Sequence, residues 1–352
     1  MAGMTLEELI GLQTENQLAV QQKQRRQPRK RKQRSRAWLA FVADVAIAGI
    51  ILCTFALFHH VVPTAFGPSQ DVLPPTGDNP TINVGGEEEE EDQIKAPFTK
   101  NVVITETSYT SQNIAITIEQ RTKGEGDDLI TYYVADIYLK SVDCFRTAFA
   151  KDKFAQNTLE SVVSMANRNN AILATAGDFY GWNPGRTVIR NGTAYRDGTA
   201  DRDVCVLYRD GSMKIFYKGQ PFNAYDEVEN GAWQAWSFGP SLFDTQGAPI
   251  TSYPDYKYIE GKHPRCALGY YEPGHYAFVL VDGRDEGYSA GMTIGEVSAL
   301  MKELGCTVAY NLDGGRSAQM VFNGEMHNQP YKDGRNISDI LYIGEVEEEE
   351  EP

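Results

Sequence analysis

Most of the chain between residues 100 and 344 reads as strand. Asn101–Ser108 (NVVITETS), Asn113–Gln120 (NIAITIEQ) and Thr131–Leu139 (TYYVADIYL) alternate or run apolar with β-branched and aromatic residues, and a loop at Glu125–Asp128 separates the last two. Val204–Tyr217 reads as a hairpin closed by Asp210-Gly211. A second hairpin, Arg265–Arg284, turns at Glu272–Gly274 and runs on into Asp282-Gly283-Arg284. Helical spacing is rarer. Thr158–Arg168 predicts a first helix, feeding Ala171–Tyr180 (AILATAGDFY), a strand that ends in Gly177-Asp178. The second helix is better defined: Thr293 and Glu296 form a capping box, Ile294, Val297, Leu300, Met301 and Leu304 line one face, and Gly305 ends it. The strand that follows, Thr307–Leu312, runs into NLDGGRSAQMVFNG, where an acid, two glycines, an arginine and a serine separate two apolar runs. Taken alone, its Asp-Gly predicts a tight hairpin. The pattern as a whole predicts an α+β fold, a mixed β-sheet core with a few packed helices.

One apolar run does not fit such a domain. Ala37–Phe58 is 22 residues long with one charge, Asp44. At about 1.5 Å per residue it spans roughly 33 Å, enough for the hydrocarbon core of a bilayer. A secretory h-region is shorter and ends in a clear small-x-small site, so an uncleaved single N-terminal transmembrane helix is the expectation. Asp44 costs a few kcal/mol on insertion scales but lies two turns from the basic end, where thinning or a partner helix relieves it. Residues 1–36 carry nine Lys/Arg against three Glu, which places them in the cytoplasm and everything after residue 60 outside. The chain thus divides into a basic cytoplasmic segment (1–36), an anchor (37–60), a Pro/Gly/acidic stalk (61–99), a folded domain (100–344) and an acidic tail (345–352).

Net charge sharpens this picture. The whole chain is −15, so with +6 on the first 36 residues the remainder sums to −21. An acidic body excludes nucleic acid as a partner of the folded part, because phosphate backbones need a positive surface. Beyond Cys53 in the anchor, Cys144, Cys205, Cys266 and Cys306 permit three disulfide connectivities or none, with buried thiols the expectation; no CxxC and no histidine at metal spacing accompanies them. Asn191 and Asn336 open N-x-S/T sequons.

Three apolar strands finish in small-residue acidic loops: ATAGDFY with Asp178, VLVDGR with Asp282 and Arg284, YNLDGGRS with Asp313 and Arg316. Loops at the ends of neighbouring strands gather side chains into one cleft, and glycine there lets a ligand approach the backbone. Three acids with arginines suit a polar, partly anionic substrate. At these residues the chain resembles the phosphodiester glycosidase family, through an ordered series: GDFY at Gly177–Tyr180, RNG at Arg190–Gly192, FGPSL at Phe238–Leu242, RCALG at Arg265–Gly269, VDGR at Val281–Arg284, GMTIGEVSALMKELG at Gly291–Gly305, NLDGGRS at Asn311–Ser317 and ISDILYI at Ile337–Ile343. Two positions depart from the family pattern: Ala176 stands where Asn is common, and Arg316 where a third glycine is common.

The resemblance implies hydrolysis between a sugar anomeric carbon and a phosphodiester oxygen, with no cofactor and no assigned metal site. Carboxylates stabilise the oxocarbenium-like state, while a phosphate leaving group needs cations more than a proton. On this reading Asp313 and Asp282 act at the anomeric centre, and Asp178 binds sugar hydroxyls or serves as the second carboxylate. Arg265 holds the phosphate, with Arg284 and Arg316 as further candidates. Asn311, Gly314, Gly315 and Ser317 complete the substrate-binding set. The topology suggests a cell-surface polysaccharide or a teichoic-acid-like polymer as substrate or partner. The alternative is a non-catalytic, membrane-anchored glycan or cell-wall binder, motivated by Ala176 and Arg316. A serine hydrolase is disfavoured because Gly315-Arg316-Ser317-Ala318-Gln319 lacks the second glycine of the nucleophile elbow. A metal phosphodiesterase would carry a denser His/Asp set, although a divalent ion on clustered carboxylates stays open.

Overall fold

Three antiparallel sheets carry the fold. A computed structural model describes residues 98–198, 201–254 and 260–346, with the backbone of 64–65; the expected anchor at 37–58 lies outside the described residues. Among the described residues no helix is long and apolar enough to cross a membrane. The largest sheet has seven strands in the order Val308–Leu312, Arg265–Glu272, His275–Val281, Ile130–Leu139, Ile114–Lys123, Ser108–Thr110 and Val103–Ile104. A five-stranded sheet runs Glu325–Met326, Met320–Phe322, Leu173–Ala176, Asp339–Ile343, Phe145–Phe149. Another runs Thr193–Arg196, Val188–Arg190, Ala232–Trp236, Val204–Tyr208, Met213–Phe216. With three short helices among the described residues, α1 (Val162–Arg168), α2 (Ala224–Glu229) and α3 (Ile294–Glu303), this is an α+β architecture dominated by sheet.

The local signals explain most boundaries. Thr293 accepts from the Glu296 N–H while the Glu296 carboxylate reaches back to the Thr293 N–H, closing the expected capping box, and Ile294, Val297 and Met301 bury the inner face of α3 on Ala267 and Val279. Helix α1 starts four residues later than its sequence suggests. Glu160 exchanges backbone hydrogen bonds with Ile337, which keeps it extended, and Ser161 then caps the helix. Of NVVITETS only Val103–Ile104 forms a full strand, which pairs with Ser108–Thr110, a strand that begins at the last residue of that stretch. The largest core cluster draws on all three sheets, with Phe145 edge-on to Tyr276 and Phe278 at 5.5 Å between ring centres. Cys144, Cys205, Cys266 and Cys306 are buried free thiols.

The NLDGGRS stretch does not form a hairpin. Leu312 closes a strand of the seven-stranded sheet and Met320 opens one of the first five-stranded sheet, so Asp313–Gln319 crosses between sheets. The two sheets touch there: Thr175 Oγ1 donates to Gln319 O at 3.1 Å and lies 3.1 Å from Cys266 Sγ. Tertiary pairing overrides the local turn preference because both apolar runs find better partners elsewhere.

Candidate active site

Strand register places the acids. Arg265 pairs with Val281 and Cys266 with Leu312, so the chain leaves the seven-stranded sheet at Asp282 on one side of Arg265 and at Asp313 on the other. Asp178 comes from a different sheet than these two, where a single sheet is the simplest expectation from sequence. The Leu173–Ala176 strand ends at the sheet crossover, and the Asp313 N–H donates to Gly177 O at 3.2 Å. Asp178, Asp282 and Asp313 are 2%, 1% and 7% exposed, which removes all three carboxylates from most of their water.

Their partners differ in charge. Asp178 Oδ1 accepts from Arg190 Nη2 at 2.7 Å and Oδ2 from the Ser237 N–H at 3.0 Å. The same Arg190 nitrogen donates to Asp339 Oδ2 at 3.0 Å, so one fully buried guanidinium serves two carboxylates. Burial pushes the Asp339 carboxyl up to about 6, with the Asp178 charge adding and Arg190 opposing. Gly177 is required by this arrangement: a Cβ there would stand 2.3 Å from Asp339 Oδ2. Asp313 Oδ2 accepts from Arg335 Nη2 at 2.7 Å, and Arg335 Nε donates to Ser317 Oγ at 2.6 Å. Burial raises the Asp313 carboxyl above its usual range, with the Asp178 charge adding, against Arg335 and the Ser317 hydroxyl. Asp282 has only neutral donors: Asn328 Nδ2 at 2.6 Å, the Gln329 N–H at 3.0 Å and Tyr288 Oη at 2.9 Å. Its carboxyl is also raised, by burial first.

One segment connects these groups. From Asn328 and Gln329 on Asp282, the chain passes through Tyr331 and Lys332 to Arg335 on Asp313. Arg316, placed by sequence among the phosphate ligands, instead holds this segment: Nε donates to Gly334 O at 3.0 Å and Nη2 to Gly334 O at 2.6 Å. Arg265 is 4% exposed and donates to Met292 O at 2.9 Å and Gly261 O at 2.7 Å; burial, then the Arg284 charge, lower it to about 10, so it stays cationic near neutrality. Arg284 is exposed, in a left-handed conformation, with its guanidinium 5.6 Å from the Tyr331 ring centre. Gly314 packs so closely on Pro264 O that a Cβ would lie 2.7 Å from it. The Gly315 N–H donates to the same oxygen at 2.9 Å. Asn311 is buried and donates from Nδ2 to Gly239 O at 2.9 Å.

Sequence reasoning missed Arg335, Asp339, Asn328 and Tyr288, and gave no role to Arg190. Two of these leave a signal: Asp339 is an acid opening the apolar run DILYI, and Arg190 ends the apolar run VIR. Among the described residues no group of three or more His, Cys, Asp or Glu is arranged to hold a metal ion. Asn191 is taken up by packing, donating from Nδ2 to Thr147 O at 2.9 Å, whereas Asn336 is exposed.

Comparison with known proteins finds relatives in sequence and in fold. An uncharacterised SPbeta prophage-derived protein of Bacillus subtilis (strain 168), YomE, is 29% identical over 270 residues, 69% of this chain; the chain spans 40% of that relative's length. The zebrafish N-acetylglucosamine-1-phosphodiester alpha-N-acetylglucosaminidase catalytic domain, auto-inhibited by its pro-peptide, shares the fold with a TM-score of 0.55 at 19% identity, over 67% of this chain and 85% of that one. A hypothetical protein from Synechocystis does so at 0.52 and 14%, over 66% and 62%. The sequence model for phosphodiester glycosidases matches residues 169–344, half of the chain and all three acidic loops, and the protein belongs to that family.

Proposed function

We propose that the protein hydrolyses a sugar-1-phosphodiester to free sugar and phosphomonoester. The reading is supported by the Asp313 N–H donating to Gly177 O beside Asp178, by Asp282 and Asp313 leaving the seven-stranded sheet on either side of Arg265, and by the Asn328–Arg335 segment that reaches both of those acids. In the reaction the bond from the anomeric carbon to the phosphodiester oxygen breaks, and that oxygen leaves with the phosphomonoester. A water oxygen takes its place on carbon, and the water proton passes to a carboxylate and then to solvent. Asp313 acts at the anomeric carbon as base or nucleophile, held by Arg335. Asp282, with neutral donors and a raised proton affinity, is its partner, and Asp178 orients sugar hydroxyls. Arg284 meets the phosphate from solvent and Arg265 supplies positive charge from below.

The test is incubation of the full-length protein with glycosyl-1-phosphate methyl esters of glucose and N-acetylglucosamine, assayed for reducing sugar. Equal release of reducing sugar and phosphomonoester is expected. Binding without release in every case would leave the non-catalytic glycan binder. Activity that disappears on exhaustive chelation and returns with a divalent ion would add a metal to the site.

We further propose that residues 37–58 anchor the protein in the cell membrane with the catalytic domain outside, acting on surface glycan or polymer. The support is the apolar run with its basic flank. Protease added to intact cells should remove the domain; full protection would reverse the topology.

A further inference from the structure

The rim beside Asp178 holds an aromatic group that the reaction above leaves unused. Phe179 follows Asp178 directly and has φ +57°, a left-handed conformation that bulky side chains seldom adopt outside constrained sites. Its ring stacks on Trp182 with centres 5.7 Å apart and planes 18° from parallel, and Trp182 is 51% exposed. Looseness does not explain that exposure. Arg196 donates to Tyr180 O at 3.2 Å and to Asn183 O at 2.8 Å, and Asn183 Nδ2 donates to Phe179 O at 3.2 Å. Tyr180 lies buried and stacked on Phe154 at 5.0 Å. The loop is therefore held on both sides of an indole that it leaves in water.

Position gives the indole a purpose. The guanidinium of Arg335, which grips Asp313, lies 4.7 Å from the centre of the Phe179 ring. A continuous series thus runs from Asp313 through Arg335 and Phe179 to Trp182. The other large exposed hydrophobics among the described residues are Val102, Val103 and Ile104 beside the edge of the seven-stranded sheet and Tyr225 on α2. Only Trp182 joins the acid cluster.

We propose that Trp182, backed by Phe179, is the platform on which the substrate's pyranose ring stacks, which makes it a specificity-determining residue. A pyranose presents a face of C–H bonds carrying partial positive charge, and the indole face is negative, so the two attract while the hydroxyl edge stays free for Asp178. The platform selects a cyclic sugar with an open C–H face over acyclic phosphodiesters. It rests on the glycosyl phosphodiester reading of the site.

The test is calorimetric titration of the full-length protein and its Trp182→Ala and Trp182→Phe variants with α-D-glucose 1-phosphate, N-acetyl-α-D-glucosamine 1-phosphate and glycerol 3-phosphate. Loss of one stacked ring should weaken both sugar phosphates roughly tenfold in Trp182→Ala, leave glycerol 3-phosphate unchanged, and cost Trp182→Phe about threefold or less. Equal sugar phosphate affinity in wild type and Trp182→Ala, or equal losses for all three ligands, overturns the platform and leaves the hydrolytic reading standing. A wild-type protein that neither binds a sugar phosphate nor releases sugar overturns both.

Discussion

The seven-stranded sheet holds an acid against a basic side chain at each end, and the two pairs are built to opposite rules. At the far end Asp136 Oδ1 lies 2.7 Å from His275 Nε2, with 42% of the Asp136 side chain in water and the imidazole sandwiched between Tyr138 and Tyr271 at 4.0 Å from each. At the near end Asp313 pairs with Arg335 with 10% of its side chain exposed; Asp178 and Asp339, which share Arg190, and Asp282, where the neighbouring strand pair ends, are buried too. At the far end the Asp136 carboxylate keeps much of its hydration and needs little compensation. Near-end carboxylates are stripped of water, and burial raises the proton affinities of Asp282, Asp313 and Asp339. Buried ion pairs seldom stabilise a fold, because desolvation offsets most of the attraction. A protein that gathers four acids at one end and leaves the other conventional has therefore concentrated its electrostatic cost where chemistry can use it.

The largest effect that would break this contrast is on turnover. Asp313→Asn should lower kcat by about 10²–10⁴-fold while the melting temperature stays within a few degrees, as steady-state assay and calorimetry would reveal. A variant retaining most of its activity removes Asp313 from catalysis. Arg335→Ala comes next. Without the cation, the Asp313 carboxyl climbs further, so the acid limb of the kcat/KM profile should move to higher pH by about one unit or more, whereas a purely structural role would lower the profile without shifting it. Gly177→Ala forces a methyl group into the Asp339 carboxylate and should cost about 1–3 kcal/mol in urea unfolding.

Smaller effects sharpen the comparison. The Asp339 carboxyl is raised to about 6, against an unfolded value near 4, so between those values the folded state binds a proton that the unfolded state lacks. This group's contribution to stability thus falls as pH rises from about 4 to about 6. Asp339→Asn should flatten that part of the wild-type curve, measured by thermal melts across the window; an unchanged slope would assign the effect to another group. Smallest of all, His275→Ala should cost about 1–2 kcal/mol of stacking and leave kcat within about twofold, since the far end takes no part in the reaction.

Much of this molecule was legible in one dimension. The capping box of Thr293 and Glu296 involves atoms three residues apart, the Asp210-Gly211 and Glu272–Gly274 turns join strands adjacent in sequence, and each acid-tipped loop follows its own apolar run. Local hydrogen bonds and side-chain periodicity determine such features, so the residues carry them wherever the chain goes. Asp178, Asp282 and Asp313 could be singled out on that basis. Their partners could not: Asn328 stands 46 residues from Asp282, Arg335 stands 22 from Asp313, and Arg190, 12 from Asp178, is shared with Asp339, 149 residues away.

Tertiary pairing decided the rest, and in one place it reversed the local reading. Asp313-Gly314 looks like a hairpin turn, yet Leu312 pairs with Cys266 and Met320 with Thr175 in separate sheets. The gain from two buried ladders exceeds the preference of a dipeptide. Arg316 shows the same division: its charge is plain in the sequence, but only the packed segment at Lys332 and Gly334 turns its guanidinium onto backbone carbonyls. Composition and periodicity determined which residues were available for chemistry. Contacts between distant segments, formed by burial of apolar surface that no short stretch can bury alone, decided which of them meet and with what charge beside them.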